Sequence, residues 1–173
     1  MTTVTIRRAR GDDVDFLVEL VTHEDVEPFL AAVRAKGREE LRAEIARSEA
    51  EPEAFGVFVI EVDGEPAGTM RFDRSNARSR IASLGGLAVH PDFRGAKVAD
   101  TAARLFQRHL FDDLGFHRVQ MEIYGFNERA MRHAERAGFT REGVRRKAYW
   151  RNDEWVDGVL YGLVVEDLEQ GSS

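Results

Sequence analysis

The sequence predicts an α/β fold, a mixed sheet covered by helices on its faces, and three observations carry the prediction. Apolar runs of strand length alternate with amphipathic stretches of helical period. Two dipeptides suited to tight turns, Asp63-Gly64 and Asn152-Asp153, sit between strand-like runs and mark hairpins near the two ends. Between them, Leu87-Ala88-Val89 stops at Pro91 and passes through a basic, small-residue turn into a long helix.

Taken in order, Val4 to Arg7 reads as a first strand. Gly11-Asp12-Asp13 starts a helix whose apolar face is Val14, Leu17, Val18 and Val21. A second helix over Arg38 to Ser48 turns Leu41 and Ile45 inward and leaves Arg42, Glu44 and Arg47 to solvent, and Glu51-Pro52-Glu53 breaks it. Phe55 to Val62 and Ala67 to Phe72 form the first hairpin. Ile81 to Val89 is the next strand, set off by a polar loop over Arg74 to Arg80. The helix after it runs from Lys97 to Asp113, with Val98, Ala102, Leu105, Phe106 and Leu110 inside, and Gly115 ends it. Arg118 to Tyr124 is a strand. Asn127 then caps a helix that reaches Ala137, with Gly138 as its C′ residue. Val144 to Trp150 and Trp155 to Val165 make the last hairpin, and Gln170 to Ser173 is expected to fray. No repeat or linker interrupts the chain, so residues 1–173 are expected to form one domain.

Composition narrows the function. A chain of 173 residues with 43% hydrophobic and 32% charged content reads as an ordinary soluble globular protein. A net charge of −6 argues against a nucleic-acid partner and leans toward a cationic one. With no cysteine there is no disulfide, thiolate metal ligand or cysteine nucleophile. The five histidines lack metal-ligand spacing, so no metal is expected. No apolar run is long enough to span a bilayer, and a cytoplasmic enzyme or binding module with no membrane partner is the expectation.

The chemistry concentrates in Leu87 to Ala99. The first turn of a helix leaves backbone N–H groups without partners and carries partial positive charge. Arg94 and Lys97 add full charges to that turn, and Gly95, Ala96 and Ala99 keep bulk low where a pyrophosphate would approach the backbone. A phosphorylated ligand is expected there. No Walker-type lysine–serine pair or dinucleotide GxGxxG follows a strand, which disfavours a nucleotide-metabolite enzyme.

Two blocks then resemble the GNAT superfamily of acyl-CoA-dependent N-acetyltransferases. Val89 to Ala99 is similar to the family's Arg/Gln-x-x-Gly-x-Gly/Ala loop, with Arg94 and Ala99 matching its ends. Asn127-Glu128-Arg129-Ala130, continuing through Ala137-Gly138-Phe139, is similar to its Asn-x-x-Ala … Gly-Phe helix and strand. Glu142-Gly143, Arg145 and Asp153 to Asp157 resemble the branch that includes the ribosomal-protein N-terminal acetyltransferases. The chain departs from the pattern twice. Lys97 stands in place of the loop's inner glycine, and Ala134 stands where many relatives carry a tyrosine that protonates the leaving thiolate.

The resemblance implies an α/β (α+β) fold with a mostly antiparallel sheet of about seven strands flanked by about four helices. It implies acetyl-CoA as co-substrate and direct attack by a primary amine, from a peptide α-amine or a small molecule. The alternative, motivated by Lys97 and Ala134, is a catalytically silent acyl-CoA-binding module. The backbone of Leu87, Ala88 and Val89 would hold the pantetheine arm. Amides of Gly95, Ala96, Lys97, Val98 and Ala99 would hold the pyrophosphate, with Arg94 adding charge. Asn127 is a helix cap, a pantetheine contact, or both. Glu122 is either a base or a solvated sheet residue. Tyr149 and Tyr161 are hairpin packing or reach the acceptor pocket, and Tyr161 is paired with Glu122 as the catalytic candidates. Homodimers through the terminal strands occur among look-alikes. Neutralising an α-amine near pH 7 costs about 1.4 kcal/mol, against roughly 4–5 kcal/mol for a lysine-type amine. A site without an evident strong base suits the former.

Overall fold

The computed structural model describes residues 1–30, 36–95 and 97–170. One seven-stranded sheet runs through it in the order β1-β2-β3-β4-β5-β7-β6. The strands are β1 (Val4–Arg8), β2 (Phe55–Val62), β3 (Glu65–Asn76), β4 (Ile81–Val89), β5 (Arg118–Tyr124), β6 (Thr140–Arg151) and β7 (Glu154–Val164). Every pairing is antiparallel except β4 with β5. Helices α1 (Val14–Thr22) and α2 (Arg38–Ala50) pack on one face, and α3 (Val98–Arg108) and α4 (Glu128–Arg136) on the other.

The two-residue alternation of side chains along β2 serves two cores at once. Phe55, Val57 and Val59 meet Val14, Leu17, Leu41 and Ile45 of α1 and α2. Phe58, Ile60 and Val62 point the other way, into a core with Phe72, Ala102, Phe106 and Leu110. Apolar on both sides, the strand reads as a continuous hydrophobic run. Both predicted hairpin turns form with positive φ at each central residue, 50 and 85 at Asp63 and Gly64 and 54 and 59 at Asn152 and Asp153. That is the backbone a two-residue hairpin turn of this kind needs.

Several boundaries differ from expectation. β3 continues to Asn76, so residues Arg74 to Asn76 of the expected loop are strand, running alongside Ile81 and Ala82. They are exposed, so burial writes no apolar alternation into them. β6 begins at Thr140 for the same reason. The long helix starts at Val98, and its end, His109 to Asp113, widens into a π turn. β7 stops at Val164, and Val165–Gln170 forms a short helix, α5, that the expected strand end did not include. Of the residues expected to fray, Gln170 instead closes α5, and 171–173 lie outside the described residues.

One irregularity shapes the site. Between Ala88↔Thr69 and Gly85↔Arg71, β4 advances three residues while β3 advances two. The extra residue makes a β-bulge, and Gly86 within it has φ +64. That left-handed conformation suits glycine. β4 and β5 pair only from Ile81 to Ser83 against Arg118 to Gln120. Beyond Ser83 the two strands part, and one side of Leu84 to Val89 lies without a strand neighbour.

Candidate active site

The parting of β4 and β5 opens a cleft of about 740 Å³ over the α3/α4 side of the sheet. Of the expected cofactor residues, Leu87, Ala88, Val89, Arg94, Gly95, Lys97, Val98, Ala99 and Asn127 all line it, as does Glu122. Ala96 lies outside the described residues. Pro91 opens a 3-10 turn, Pro91–Phe93, which redirects the chain from β4 towards α3. Gly95 follows at φ +92 and is open to solvent, with nothing within 4 Å of where a Cβ would stand. Lys97 takes φ 57 and ψ 26, so it keeps the left-handed backbone that a glycine would supply, and the residue is exposed.

Charge gathers at this end of the cleft. Arg94 donates from Nε to the Val89 carbonyl and from Nη2 to the Asp25 carbonyl, each at 3.2 Å. Burial pushes the Arg94 guanidinium pKa down, and the nearby Arg129 charge adds to that shift. Among the described residues neither Lys97 nor Arg129 has a carboxylate partner. Arg94, Lys97, Arg129 and the unbonded first amides of α3 thus border one hollow, with the carboxylates of Asp25 and Glu128 also in its wall, in a protein with net charge −6. That is the chemistry of a diphosphate seat.

Asn127 caps α4: its Oδ1 accepts the Ala130 N–H at 3.1 Å. The same residue lines the cleft, so capping leaves it at the cleft wall. α4 is joined to α3 by Asp100, whose Oδ1 lies 2.9 Å from His133 Nδ1 and accepts from Arg136 Nη2 at 3.2 Å.

The two catalytic candidates separate. Residues directly opposite in a ladder share a face. Glu122 pairs with Leu160, whereas Tyr161 pairs with Met121. Tyr161 therefore points towards α4, 1% exposed, with its hydroxyl donating to Glu135 at 3.3 Å. Burial and the Glu135 carboxylate push its pKa up. Tyr161 and Glu122 both border a second, smaller hollow, but their side chains leave the sheet on opposite faces and make no hydrogen bond to each other. One pleat decides it: a shift of one residue moves a side chain to the opposite face.

The tyrosine that reaches Glu122 is Tyr149 of β6, whose hydroxyl donates to Glu122 Oε2 at 2.6 Å. That hydrogen bond, with burial second, raises the Tyr149 pKa. Arg145 Nη1 lies 3.5 Å from Glu122 Oε1. Gly158 of β7 leaves room for the pair, since a Cβ there would collide with the Glu122 carboxylate and the Tyr149 ring. This second hollow, about 560 Å³, lies on the α1/α2 face and is also bordered by Ser83, Gln120 and the Arg118–Glu142 ion pair. Leu84, Met121, Glu122 and Tyr124 border both hollows, so the parting of the strands is a window between them. Sequence reasoning missed the Tyr149–Glu122 pairing and the Arg118–Glu142 bridge. The readable signal was the spacing of Gly158 and Gly162, two small residues on one face of β7 over which neighbouring side chains fold.

A cationic helix start on one side of a parted sheet, and a polar hollow reached through the gap, define an enzyme that joins a phosphorylated carrier to a second substrate. Residues 3–140 match the model of the acetyltransferase (GNAT) domain. The chain belongs to the GNAT acetyltransferase family and is an acyl-CoA-dependent N-acetyltransferase. It is 29% identical over 122 residues to the SPbeta prophage-derived uncharacterized N-acetyltransferase YokL of Bacillus subtilis, covering 69% of this chain and 67% of that one. It is 26% identical over 102 residues to spermidine N(1)-acetyltransferase of Escherichia coli, covering 59% of this chain and 54% of that protein. Among solved structures, spermidine N-acetyltransferase from Vibrio cholerae in complex with CoA and spermine superposes with a TM-score of 0.85 at 19% identity, over 95% of this chain and 96% of that one. RimL, a ribosomal L7/L12 alpha-N-protein acetyltransferase in complex with coenzyme A, superposes with a TM-score of 0.84 at 19% identity, over the same shares.

Proposed function

We propose that this enzyme, acting as one domain over residues 1–173, transfers the acetyl group of acetyl-CoA to the α-amine of a peptide or to a small primary amine. We place the reaction in the cytoplasm on the strength of the co-substrate it needs. The observation that carries the reading is the window between β4 and β5, with a cationic seat on one side and Glu122 on the other.

The main-chain amides of residues 95–99, with Arg94, hold the pyrophosphate. The unpaired side of Leu87 to Val89 bonds the pantetheine arm as an added strand would, and Asn127 closes over it. Acetyl-CoA supplies the activated acyl group, and aligning it with the amine provides roughly 7–11 kcal/mol of the acceleration in favourable cases. Glu122 takes the proton that the attacking amine must lose. Tyr149 holds the Glu122 carboxylate in place and, with its pKa raised, stays a proton donor beside the leaving sulfur. Tyr149 thereby serves where Ala134 leaves no hydroxyl on α4. Tyr161, enclosed and bonded to Glu135, packs the sheet against α4.

Thiol release from acetyl-CoA tests this directly. Release should depend on an added amine, and Gly95→Glu should lower it by on the order of 100-fold or more by setting a carboxylate against the diphosphate. A side chain there meets no neighbour within 4 Å, so the cost to the fold is the local strain of an L-residue at φ +92, about 1–2 kcal/mol, which Gly95→Ala measures separately. If Gly95→Glu retains turnover and CoA affinity, the seat is elsewhere.

A further inference from the structure

The acceptor side carries a charge pattern that the transfer reaction itself does not require. β6 has five cations, Arg141, Arg145, Arg146, Lys147 and Arg151, against one carboxylate, Glu142, in a chain of net charge −6. Glu142 is neutralised by Arg118. Arg151 turns back to the Pro28 and Leu30 carbonyls across the Tyr124 ring. That leaves Arg141, Arg145, Arg146 and Lys147 exposed on this edge strand, with Arg145 bordering the Glu122 hollow and Arg146 and Lys147 following it in the chain. The Arg145 side chain is 61% exposed, and Arg146 and Lys147 have no side-chain carboxylate partner among the described residues.

Their placement is built into the backbone. Arg145 pairs with Gly158 and Tyr149 with Val156, so three residues of β6 stand opposite Asp157 alone. The bulge puts Lys147 at φ 49, and its N–H donates to Asp157 Oδ1 at 2.8 Å. The Asp157 carbonyl in turn accepts the Gly125 N–H at 2.8 Å, tying the bulge to the end of β5. β6 is also the edge of the sheet, with one side of its backbone unpaired.

We infer that this bulge selects an acidic peptide as acceptor: the α-amine enters at Glu122 and carboxylates at the next few positions lie against Arg145, Arg146 and Lys147. This rests on the transferase reading and adds the substrate class. The hollow's four charged side chains cancel, with Arg118 held against Glu142 and Arg145 standing 3.5 Å from Glu122. Beyond them, β6 adds the exposed cations Arg146 and Lys147, which stand opposite the single carboxylate of Asp157. A polyamine would set its further ammonium groups against those cations. A second copy of this chain would set like strand against like, cation facing cation. An acidic segment complements this stretch, and an extended one uses the open strand edge.

The experiment compares peptides with one common first residue and Asp/Glu, Ala/Ser or Lys at positions two to four, with spermidine alongside. Acidic peptides should show kcat/KM at least ~10-fold above neutral ones, shrinking as salt rises. The double variant Arg146→Glu with Lys147→Glu should erase that preference while neutral-peptide turnover and CoA affinity by calorimetry stay near wild type. Binding of the same peptides to the CoA-saturated enzyme is measured in parallel. Peptides acetylated without regard to charge, spermidine as the best acceptor, or an unchanged preference in the double variant would each overturn the inference and leave the transferase reading standing. Charge-selective binding without acetylation would uphold the surface and overturn the transferase reading. Competition by an RNA oligomer but not by an acidic peptide would also overturn the inference.

Discussion

Lys97 shows how a single residue departs from a pattern yet keeps its geometry. Its left-handed backbone, φ 57, is the one that a glycine would provide. An L-residue there costs about 1–2 kcal/mol of local strain. Glycine would relieve the strain but lose more chain entropy on folding, roughly 0.5–1 kcal/mol. Lys97→Gly is therefore expected to raise stability by at most about 1.5 kcal/mol, read as a small increase in denaturation midpoint. Because the residue is exposed, the hollow stays open in either form. The site's other surprise is also one residue deep. Glu122 was legible as a carboxylate on a strand, but whether Tyr161 or Tyr149 stands over it depends on register. Register is set by pairings between distant segments, which no local pattern records.

At the scale of elements, the strands and helices with one buried face were legible in the sequence. β4 and β5 have the expected limits, and both hairpin turns lie where Asp63-Gly64 and Asn152-Asp153 put them. What stayed hidden was exposed or irregular: the outer part of β3, the start of β6, α5, and the bulges in β4 and β6. Exposed strand is held by hydrogen bonds between strands rather than by burial, so no apolar period records it. The α3–α4 seam carries a pH prediction. Burial holds the His133 pKa below its ordinary 6.5, against the pull of Asp100. Burial would raise the Asp100 carboxyl, but the Arg136 and His133 hydrogen bonds outweigh it and leave the pKa below 3.8. In both cases the unfolded chain binds protons more readily than the folded one, so each contribution is present at higher pH and lost on acidification. Melting temperature should fall in two stages, the first beginning as pH drops below 6.5 and the second below 3.8. His133→Asn should remove the first stage and leave the second. A melting temperature that rises on acidification through 6.5 would contradict the assignment.

At the scale of the molecule, the sheet is a partition with one opening. Both of its faces are apolar under the helices, where Phe58, Phe72 and Phe106 fill one core and Leu17, Leu41 and Ile45 the other. Among the described residues, the two sides meet where β4 bends away from β5. The family match covers residues 3–140, hence every residue lining the larger cleft, and stops where β6 begins. The most direct measurement is a crystal structure of the enzyme with CoA. The diphosphate should rest on the amides of residues 95–99, with the pantetheine alongside Leu87 to Val89 and its sulfur at the window facing Glu122. A nucleotide bound elsewhere, or the Lys97 side chain folded into the seat with the β4–β5 gap closed, would contradict the account.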